Sequence, residues 1–450
     1  MIAEMRLSQL RDRCGGQLLG QDLAFDSVST DTRSLRKGDL YVALTGDRYD
    51  GHAFVSSAAK RAKAIVVERE FDASIPQVIV EDSRSALGQI AGFCRDHYQG
   101  PVIAITGSSG KTTARNMLAA IMSTQGEVCT NLGNQNNEVG VPFTLLGLSS
   151  KHVAAVIELG ARHIGDISYL GRFVRPSISI LLNAGSAHIG EFGGYDNIVA
   201  GKGEIYDVLT ESGVAIVNLD DPASAVWLKS LGSKSVVTYS TDQPDADVRA
   251  ERIELGADKC SFDLVVAGER VNVALKASGT HNVSNALAAA SAAVALDVPL
   301  AAIVKGLSLY IAEPGRLTRK SIRNGIDLID DSYNANPASM KAALDVLSLD
   351  ASYRIAILGE MGELGEDAST FHTEVAQHAA KTSIEEFWFI GAFAEQMRRE
   401  IGERARVFET KQDIAEAITE ISELPATLLI KASRFVALED VVEMKVRGTA

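Results

Sequence analysis

The stretch TGSSGKTT, residues 106–113, decides the fold of this chain. It follows the apolar run 102–105 and precedes a helical stretch, so the predicted order is strand, glycine-rich turn, helix. Backbone N–H groups freed by Gly107 and Gly110 form a concave anion site together with the positive end of a helix dipole. Lys111 can reach the β- and γ-phosphates of a nucleotide, and the Thr112 hydroxyl is typical of a Mg²⁺ ligand. We therefore predict a phosphate-binding loop.

This loop is shorter than the usual GxxxxGK[ST] pattern, because Ile105 stands where the first glycine would be. A plain Gly/Ser turn between a strand and a helix is the alternative. The lysine and the hydroxyls come in the order that phosphate chemistry needs, which favours the phosphate loop.

Bulk composition narrows the class of protein. A chain of 450 residues predicts two to four domains. Its 44 basic and 58 acidic residues give a net charge of −14, which argues against sequence-independent nucleic-acid binding. Four cysteines without CxxC spacing indicate a reducing compartment and no structural zinc. Neither a signal peptide nor a membrane-spanning run is recognisable, so we expect a cytoplasmic protein.

Periodicity predicts an α/β protein of three domains. Residues 1–84 hold short strands and a helical stretch, as in a small α/β domain. Residues 85–312 alternate apolar strands with amphipathic helices, which predicts a mostly parallel sheet with a β-rich insert near 236–275. The Glu-Pro-Gly sequence at 313–315 marks the next boundary. Residues 313–450 repeat strand and helix five times in a doubly wound, Rossmann-like layout, but without the GxGxxG of dinucleotide binding.

Two polar side chains follow apolar strands beside the predicted loop. Glu158 follows the apolar strand predicted at 153–157, which is where a Mg²⁺ ligand belongs; a solvated acid is the alternative. His188 lies in the glycine-rich segment 183–194 after another strand. It either binds metal or phosphate at this sheet edge or is a structural or exposed histidine.

Three further polar residues are candidates, and two of them have two interpretations each. Lys202 reads as a helical surface charge. Asn282 caps or begins an alanine-rich helix, and such a helix start can also contact a nucleotide. Arg316, directly after the predicted hinge, either binds a transferring phosphoryl group or forms a hinge salt bridge.

Two polar loops follow strands in the third block. The segment IDDSYNANPASM, 329–340, enters a helix at Pro337, and LGEMGELG, 358–365, is acidic and punctuated by glycine. Both lie at the carboxyl ends of strands, where open α/β sheets bind ligands.

Together these segments resemble the Mur ligase family, the ATP-dependent ligases of bacterial cell-wall (peptidoglycan) synthesis. The resemblance rests on TGSSGKTT, NNEVGVP (136–142), NAGSAHIGEFGG (183–194) and HNVSNALAA (281–289) for the ATPase domain. DDSYNANPASM with LGEMGELG is more selective within the family. VSTDTRSLRKGDLYVAL (28–44) resembles the domain that holds the UDP end of the substrate.

The resemblance implies residue roles. Thr112 and Glu158 would bind a first Mg²⁺, and His188 and Lys202 a second, Lys202 being N-carbamoylated in this family. Asn137 would lie near the γ-phosphate, Asn282 near adenine, Arg316 on phosphate, Asp331 on the ribose and Tyr333 on the base. The implied ATP-binding set is Gly107, Ser108, Ser109, Gly110, Lys111, Thr112, Thr113, Asn137, Asn282, Arg316, Asp331 and Tyr333. The implied catalytic set is Lys111, His188, Lys202 and Arg316, and the implied UDP contacts are Ser29, Thr30 and Arg33.

The implied activity is joining of D-alanyl-D-alanine to UDP-N-acetylmuramoyl-tripeptide through an acyl phosphate. The domain 1–84 would bind the UDP-muramoyl peptide and 85–312 would bind ATP, while 313–450 would close over ATP and bind the dipeptide. We expect a monomer that binds neither nucleic acid nor membrane. Another ligase of the superfamily, such as the one that adds the third peptide residue, and a nucleotide-binding homologue without ligase activity are the alternatives.

Overall fold

Three principal sheets, each packed against helices, organise the chain. The computed structural model describes residues 1–46, 49–323 and 325–447, so the predicted third domain runs three residues past the described part. The predicted α/β class with mostly parallel sheets is confirmed. No helix in these ranges has the length and apolar character needed to cross a membrane.

The N-terminal unit is a small sheet with the order β2-β7-β6-β5-β4, in which β2 alone is antiparallel to its neighbour. A two-stranded sheet, β1-β3, lies beside it. Its elements are β1 (Met5–Arg6), α1 (Leu7–Cys14), β2 (Gln17–Leu19), β3 (Ala24–Phe25), β4 (Val28–Ser29), β5 (Leu40–Val42), α2 (Val55–Ala58), β6 (Ala64–Val67) and β7 (Gln77–Ile79). The helical stretch expected in this unit is short, because α2 stops at Ala58 and a turn follows.

The middle unit carries a sheet of nine strands, with the order β16-β15-β14-β13-β12-β11-β8-β10-β9. Its first elements are α3 (Ser83–His97), β8 (Val102–Thr106), α4 (Lys111–Met122), β9 (Glu127–Thr130), α5 (Gly140–Leu146), β10 (His152–Glu158), α6 (Asp166–Val174), β11 (Ile178–Leu181) and α7 (Ile189–Phe192). The others are α8 (Tyr195–Asp207), β12 (Val214–Asn218), α9 (Ser224–Leu231), β13 (Ser235–Ser240), β14 (Val248–Leu255), β15 (Cys260–Val266), β16 (Glu269–Leu275), α10 (Thr280–Val294) and α11 (Leu300–Ser308).

The β-rich insert predicted near 236–275 extends this sheet. Strand β13 is parallel to β12, β14 is parallel to β13, and β14, β15 and β16 then form an antiparallel meander. Strand β8 is buried along its whole length at the centre of the parallel part. Its carboxyl end therefore delivers the glycine-rich turn to the middle of the sheet edge.

The C-terminal unit has the order β17-β18-β22-β19-β20-β21. Five strands are parallel, as the doubly wound prediction requires, and β17 is an antiparallel edge strand that the sequence analysis missed. The elements are β17 (Thr318–Arg323), β18 (Ile326–Asp330), α12 (Pro337–Ser348), β19 (Tyr353–Leu358), α13 (Ala368–Ala380), β20 (Glu386–Ile390), α14 (Ala394–Ile401), β21 (Ala405–Phe408), α15 (Lys411–Thr419), β22 (Ala426–Lys431) and α16 (Glu439–Arg447).

Candidate active site

A cavity of about 1340 Å³ lies between the middle and C-terminal units. The glycine-rich turn lines one wall, from Ser108 to Thr113. The opposite wall comes from Arg316, Asp331 and Tyr333, at the start of the C-terminal unit. The structure thus brings together side chains from two separate sheets that the sequence analysis assigned to one nucleotide site.

The phosphate loop has the backbone geometry that glycine permits. Gly110 has a φ of +78° and occupies the N-cap position of α4, which begins at Lys111. A Cβ on Gly110 would collide with the side-chain amide of Asn285 in α10. Lys111 Nζ donates to the Gly107 carbonyl at 2.7 Å, and burial lowers the pKa of Lys111. The lysine is therefore folded back onto its own loop, poised for an anion.

Glu158 lies at the carboxyl end of β10, next to the loop. Thr112 Oγ1 donates to Glu158 Oε2 at 2.9 Å, and Asn136 Nδ2 donates to Glu158 Oε1 at 2.7 Å. Both Thr112 and Glu158 are buried, with 3 % and 2 % of their surfaces exposed. A buried carboxylate beside a hydroxyl supplies two oxygen donors of the kind that Mg²⁺ prefers. Asn136, which was not predicted as a site residue, orients the Glu158 carboxylate.

Lys202 is fully buried in α8, so its interpretation as a surface charge is wrong. Its Nζ has no hydrogen-bond partner among the described residues and lies 5.2 Å from the Phe192 ring centroid. Burial, and then the nearby charge of Lys111, lower the pKa of Lys202 to about 7. A buried amine with no hydrogen-bond partner, about half neutral near pH 7, is a nucleophile without an assigned role in the fold.

His188 contacts the C-terminal unit. Its Nδ1 lies 2.7 Å from Glu363 Oε2, in the acidic loop 358–365, and 3.4 Å from Glu191 Oε2. The contact with the His188 ring holds the pKa of Glu363 below its usual range. Beside this pair the two backbones touch, since a Cβ on Gly190 would lie 2.6 Å from Gly365 N.

Arg316 crosses from the C-terminal unit to the loop. Its Nη2 donates to Thr112 Oγ1 at 2.9 Å, and its guanidinium lies 4.2 Å from the Tyr333 ring centroid. The alternative hinge salt bridge is weaker, because Arg316 Nε lies 4.0 Å from Glu313 Oε2. The guanidinium therefore faces the phosphate loop, as a phosphate ligand would.

The remaining predicted nucleotide residues, except Gly107, line the cavity. Asp331 is held by Lys431 Nζ at 2.6 Å and by the Leu317 backbone at 3.1 Å. Asn137 Oδ1 accepts from the Gly140 backbone at 3.0 Å. The N-cap interpretation of Asn282 is wrong, since α10 begins at Thr280 with Gly279 at the N-cap position.

The predicted UDP contacts lie apart from this cavity. Ser29 is buried and its hydroxyl donates to the Asp31 carbonyl, while Thr30 follows in the turn after β4. Arg33 is exposed and hydrogen-bonds to the Asp31 carboxylate, which lowers the pKa of Asp31 to about 2. None of the three is among the described residues that line the cavity.

A phosphate loop beside a buried carboxylate, covered by a second α/β unit that contributes an arginine, defines a nucleotide-dependent transferase or ligase. Family models agree: the Mur ligase middle domain matches residues 105–293, and the Mur ligase glutamate ligase domain matches residues 315–434. The chain belongs to the Mur ligase family.

Full-length relatives extend this comparison. UDP-N-acetylmuramoyl-tripeptide–D-alanyl-D-alanine ligase of Escherichia coli strain K12 is 39% identical over 447 residues, which is 98% of each chain. A crystal structure of MurF from Acinetobacter baumannii superposes with a TM-score of 0.93, at 34% identity over 99% of each chain. The MurF ligase of Thermotoga maritima, solved in complex with ADP, has a TM-score of 0.85 and 26% identity over 94% of this chain and 97% of that one.

Proposed function

We infer that this chain is an ATP-dependent ligase that joins D-alanyl-D-alanine to UDP-N-acetylmuramoyl-tripeptide. The observation that carries this function is the similarity, over nearly the whole length, to the Escherichia coli ligase of that name. The cavity supports it, because the phosphate loop and Arg316 face each other across a space large enough for a nucleotide and the end of a peptide.

The reaction requires two bond-forming steps. A terminal carboxylate oxygen of the tripeptide attacks the γ-phosphorus of ATP, and the bond to ADP breaks to leave an acyl phosphate. The amine of the dipeptide then attacks the acyl carbon and loses a proton, and the tetrahedral intermediate expels phosphate. No protein nucleophile is required. The rate acceleration therefore comes from positioning of the substrates and neutralisation of their charge.

Lys111 and Arg316 are the cations for this chemistry. Lys111 exchanges its contact with the Gly107 carbonyl for a phosphate oxygen, and Arg316 stabilises the transferring phosphoryl group from the opposite side. Docking of the C-terminal unit over the loop excludes water, which would otherwise hydrolyse the acyl phosphate.

Mg²⁺ fits the donor set. Thr112 and Glu158 would hold a first ion through a hydroxyl and a carboxylate. His188 and Lys202 would hold a second. The orphaned Nζ of Lys202 fits N-carbamoylation, since carbon dioxide converts a neutral amine into an anionic oxygen ligand. Mg²⁺ supplies neutralisation of phosphate charge.

Other residues would bind the base and ribose of ATP and the UDP end of the second substrate. Tyr333 would stack on the base, Asp331 would contact the ribose, and Asn137 and Asn282 would lie near the γ-phosphate and adenine. Ser29, Thr30 and Arg33 would bind the UDP end at the N-terminal unit. The domain boundaries 1–84, 85–312 and 313–450, a monomeric state and a cytoplasmic location stay predictions.

Phosphate release tests the function. With ATP, Mg²⁺ and UDP-N-acetylmuramoyl-tripeptide, release should depend on D-alanyl-D-alanine, and mass spectrometry should detect the pentapeptide product. Release that ignores the dipeptide would overturn the assignment. Release that responds to a single diamino acid with the shorter UDP-muramoyl-dipeptide would indicate the third-residue ligase instead.

A further inference from the structure

A buried arginine that the mechanism does not use lies beneath the phosphate loop. Arg115 is in the first turn of α4, three residues after Thr112, and only 2 % of its surface is exposed. Its neighbours Ala114, Met117 and Leu118 belong to the apolar core. A charged side chain in such a place needs dedicated partners, because burying an unpaired charge is costly.

The partners of Arg115 come from two sides of the site. Nη1 donates to the Gly133 carbonyl at 2.9 Å and lies 3.5 Å from Glu158 Oε2, the carboxylate proposed to bind metal. Nη2 donates to Glu313 Oε1 at 2.8 Å, and Asn116 Nδ2 donates to the same oxygen at 2.9 Å. One guanidinium therefore joins the middle sheet to the connection between the two units.

Glu313 and Arg316 begin and end that connection, the segment 313–316. Glu313 is bound by Arg115, and Arg316 is bound to Thr112. Thr112 in turn donates to the carboxylate oxygen of Glu158 that faces Arg115. These five residues form a ring, in the order Arg115, Glu313, Arg316, Thr112 and Glu158, which we name the hinge ring. Side-chain hydrogen bonds join its members except between Glu313 and Arg316, where a backbone hydrogen bond of 3.2 Å closes it.

We propose that Arg115 is a positioning residue that anchors the connection 313–316 through Glu313, so that Arg316 docks on the phosphate loop with Glu158 correctly oriented. This proposal rests on the proposed function, because it explains how docking of the C-terminal unit completes an ATP site. Stability alone does not account for the ring, since buried ion pairs are often replaceable by apolar residues without loss. Fixing one relative orientation of two elements is a use for which apolar contacts serve poorly, because they lack direction.

Variants at both ends of the Arg115–Glu313 contact test this role. Arg115→Met keeps the length and apolar stem of the side chain, and Glu313→Ala removes the partner, whose side chain is only half-buried. We expect each to lower kcat at least about tenfold, since small displacements of catalytic groups cost up to about a hundredfold. The KM for UDP-N-acetylmuramoyl-tripeptide should change little. The double variant should be no worse than the more damaged single variant, because both remove one contact.

Small-angle X-ray scattering supplies a readout that does not depend on turnover. With a non-hydrolysable ATP analogue, the wild-type chain should become more compact, and both single variants should compact less. Arg404→Met is the matched control. Arg404 is a partly buried arginine of the C-terminal unit that binds the carbonyls of Thr382, Ile384 and Ala380, away from the hinge ring. We expect this control to lower the melting temperature while it preserves kcat and compaction.

The possible outcomes distinguish failure of the hinge ring from failure of the proposed ligase function. Wild-type compaction in both Arg115→Met and Glu313→Ala, or additive losses of kcat in the double variant, would overturn the hinge ring and leave the ligase function standing. Absence of dipeptide-dependent ligation by the wild-type chain would instead overturn the function. If Arg115→Met does not fold, Glu313→Ala alone still decides whether the contact controls compaction.

Discussion

The guanidinium of Arg316 lies 2.9 Å from the hydroxyl of Thr112, although 204 positions of the chain separate the two residues. Thr112 is the second residue of the helix that follows the phosphate loop, and Arg316 lies at the start of the C-terminal unit. The phosphate site is therefore shared between two sheets: the middle unit contributes Lys111 and the Thr112 hydroxyl, and the C-terminal unit contributes Arg316.

Replacement of Arg316 should damage turnover more than binding of the UDP substrate. We expect Arg316→Ala to lower kcat by about a hundredfold to a thousandfold, the usual effect of losing a preorganised charge donor. Arg316→Lys keeps the charge but loses the planar fork that reaches Thr112 and stacks on Tyr333, so it should recover only part of this loss. Steady-state kinetics measure both. The exposed Arg398→Ala should behave as wild type, and an equal loss in all three variants would contradict the assigned role.

The Thr112 hydroxyl should set the Mg²⁺ requirement. Thr112→Val keeps the shape but removes a group that donates to Glu158 and accepts from Arg316. We expect kcat to fall by about tenfold to a hundredfold, because hydrogen bonds to charged groups contribute about 1.5–3 kcal/mol. The Mg²⁺ concentration for half-maximal activity should rise. Thr112→Ser, which keeps the hydroxyl, should stay within about threefold of wild type. Removal of Mg²⁺ with a chelator should abolish turnover in every variant, and a Thr112→Val enzyme with wild-type Mg²⁺ dependence would exclude Thr112 as a ligand.

Carbamoylation of Lys202 should have a distinctive pH dependence. Only the neutral amine reacts with carbon dioxide, and the pKa of Lys202 is lowered to about 7. At a fixed concentration of dissolved carbon dioxide, reactivation of bicarbonate-depleted enzyme should speed up about tenfold between about pH 6 and about pH 8 and then level off. A lysine with an ordinary pKa would instead keep gaining about tenfold per pH unit up to about pH 9.

Isotope labelling and substitution complete this test. ¹³C nuclear magnetic resonance with labelled bicarbonate should show one carbamate carbonyl signal, absent in Lys202→Ala. The exposed Lys229→Ala should retain both the signal and the activity. Full activity of Lys202→Ala would exclude the carbamate as a metal ligand.

The backbone contact between Gly190 and Gly365 should be sensitive to a single methyl group. Alanine at 190 would place its Cβ 2.6 Å from Gly365 N, so the two units could not dock as they do here. We expect Gly190→Ala to lower kcat with little change in melting temperature, because the clash lies between units rather than within a core. Gly92→Ala in α3 is the control, since its Cβ would make an ordinary contact at 3.7 Å with Phe173. Unchanged kcat in Gly190→Ala would show that turnover does not need this contact.

Most of the fold could be predicted from local sequence patterns. The strands β6, β12, β18 and β20 coincide with largely apolar runs in the sequence, and Pro337 begins its helix as expected. These segments have strong apolar runs or clear start signals. The strand β17 and the helix α1 were missed, because their charged and polar composition hides them. The β-rich insert pairs with the main sheet through contacts between strands that are distant in sequence. No local pattern encodes such pairing.

The site was predictable where chemistry follows a strand end. The loop 106–113 and Glu158 meet as expected because parallel strands bring their carboxyl ends to one edge. Arg115 was missed, although one signal was available: it is a charge among the apolar positions of α4. Glu363 and Glu313 carry no such signal, since their roles exist only through contacts with distant parts of the chain. Lys202 was interpreted as a surface charge but is buried. A lysine in a helical stretch is expected to be exposed unless its neighbours in space are known.

The last strand of the chain, β22, lies in the interior of its sheet, between β18 and β19. During synthesis the ribosome therefore releases the rest of the C-terminal unit before the strand that joins its two halves exists. A prematurely terminated chain exposes the apolar edges of β18 and β19 and lacks Lys431, which holds Asp331. Such a fragment is prone to aggregate, because unpaired strand edges and exposed apolar surface promote association between chains.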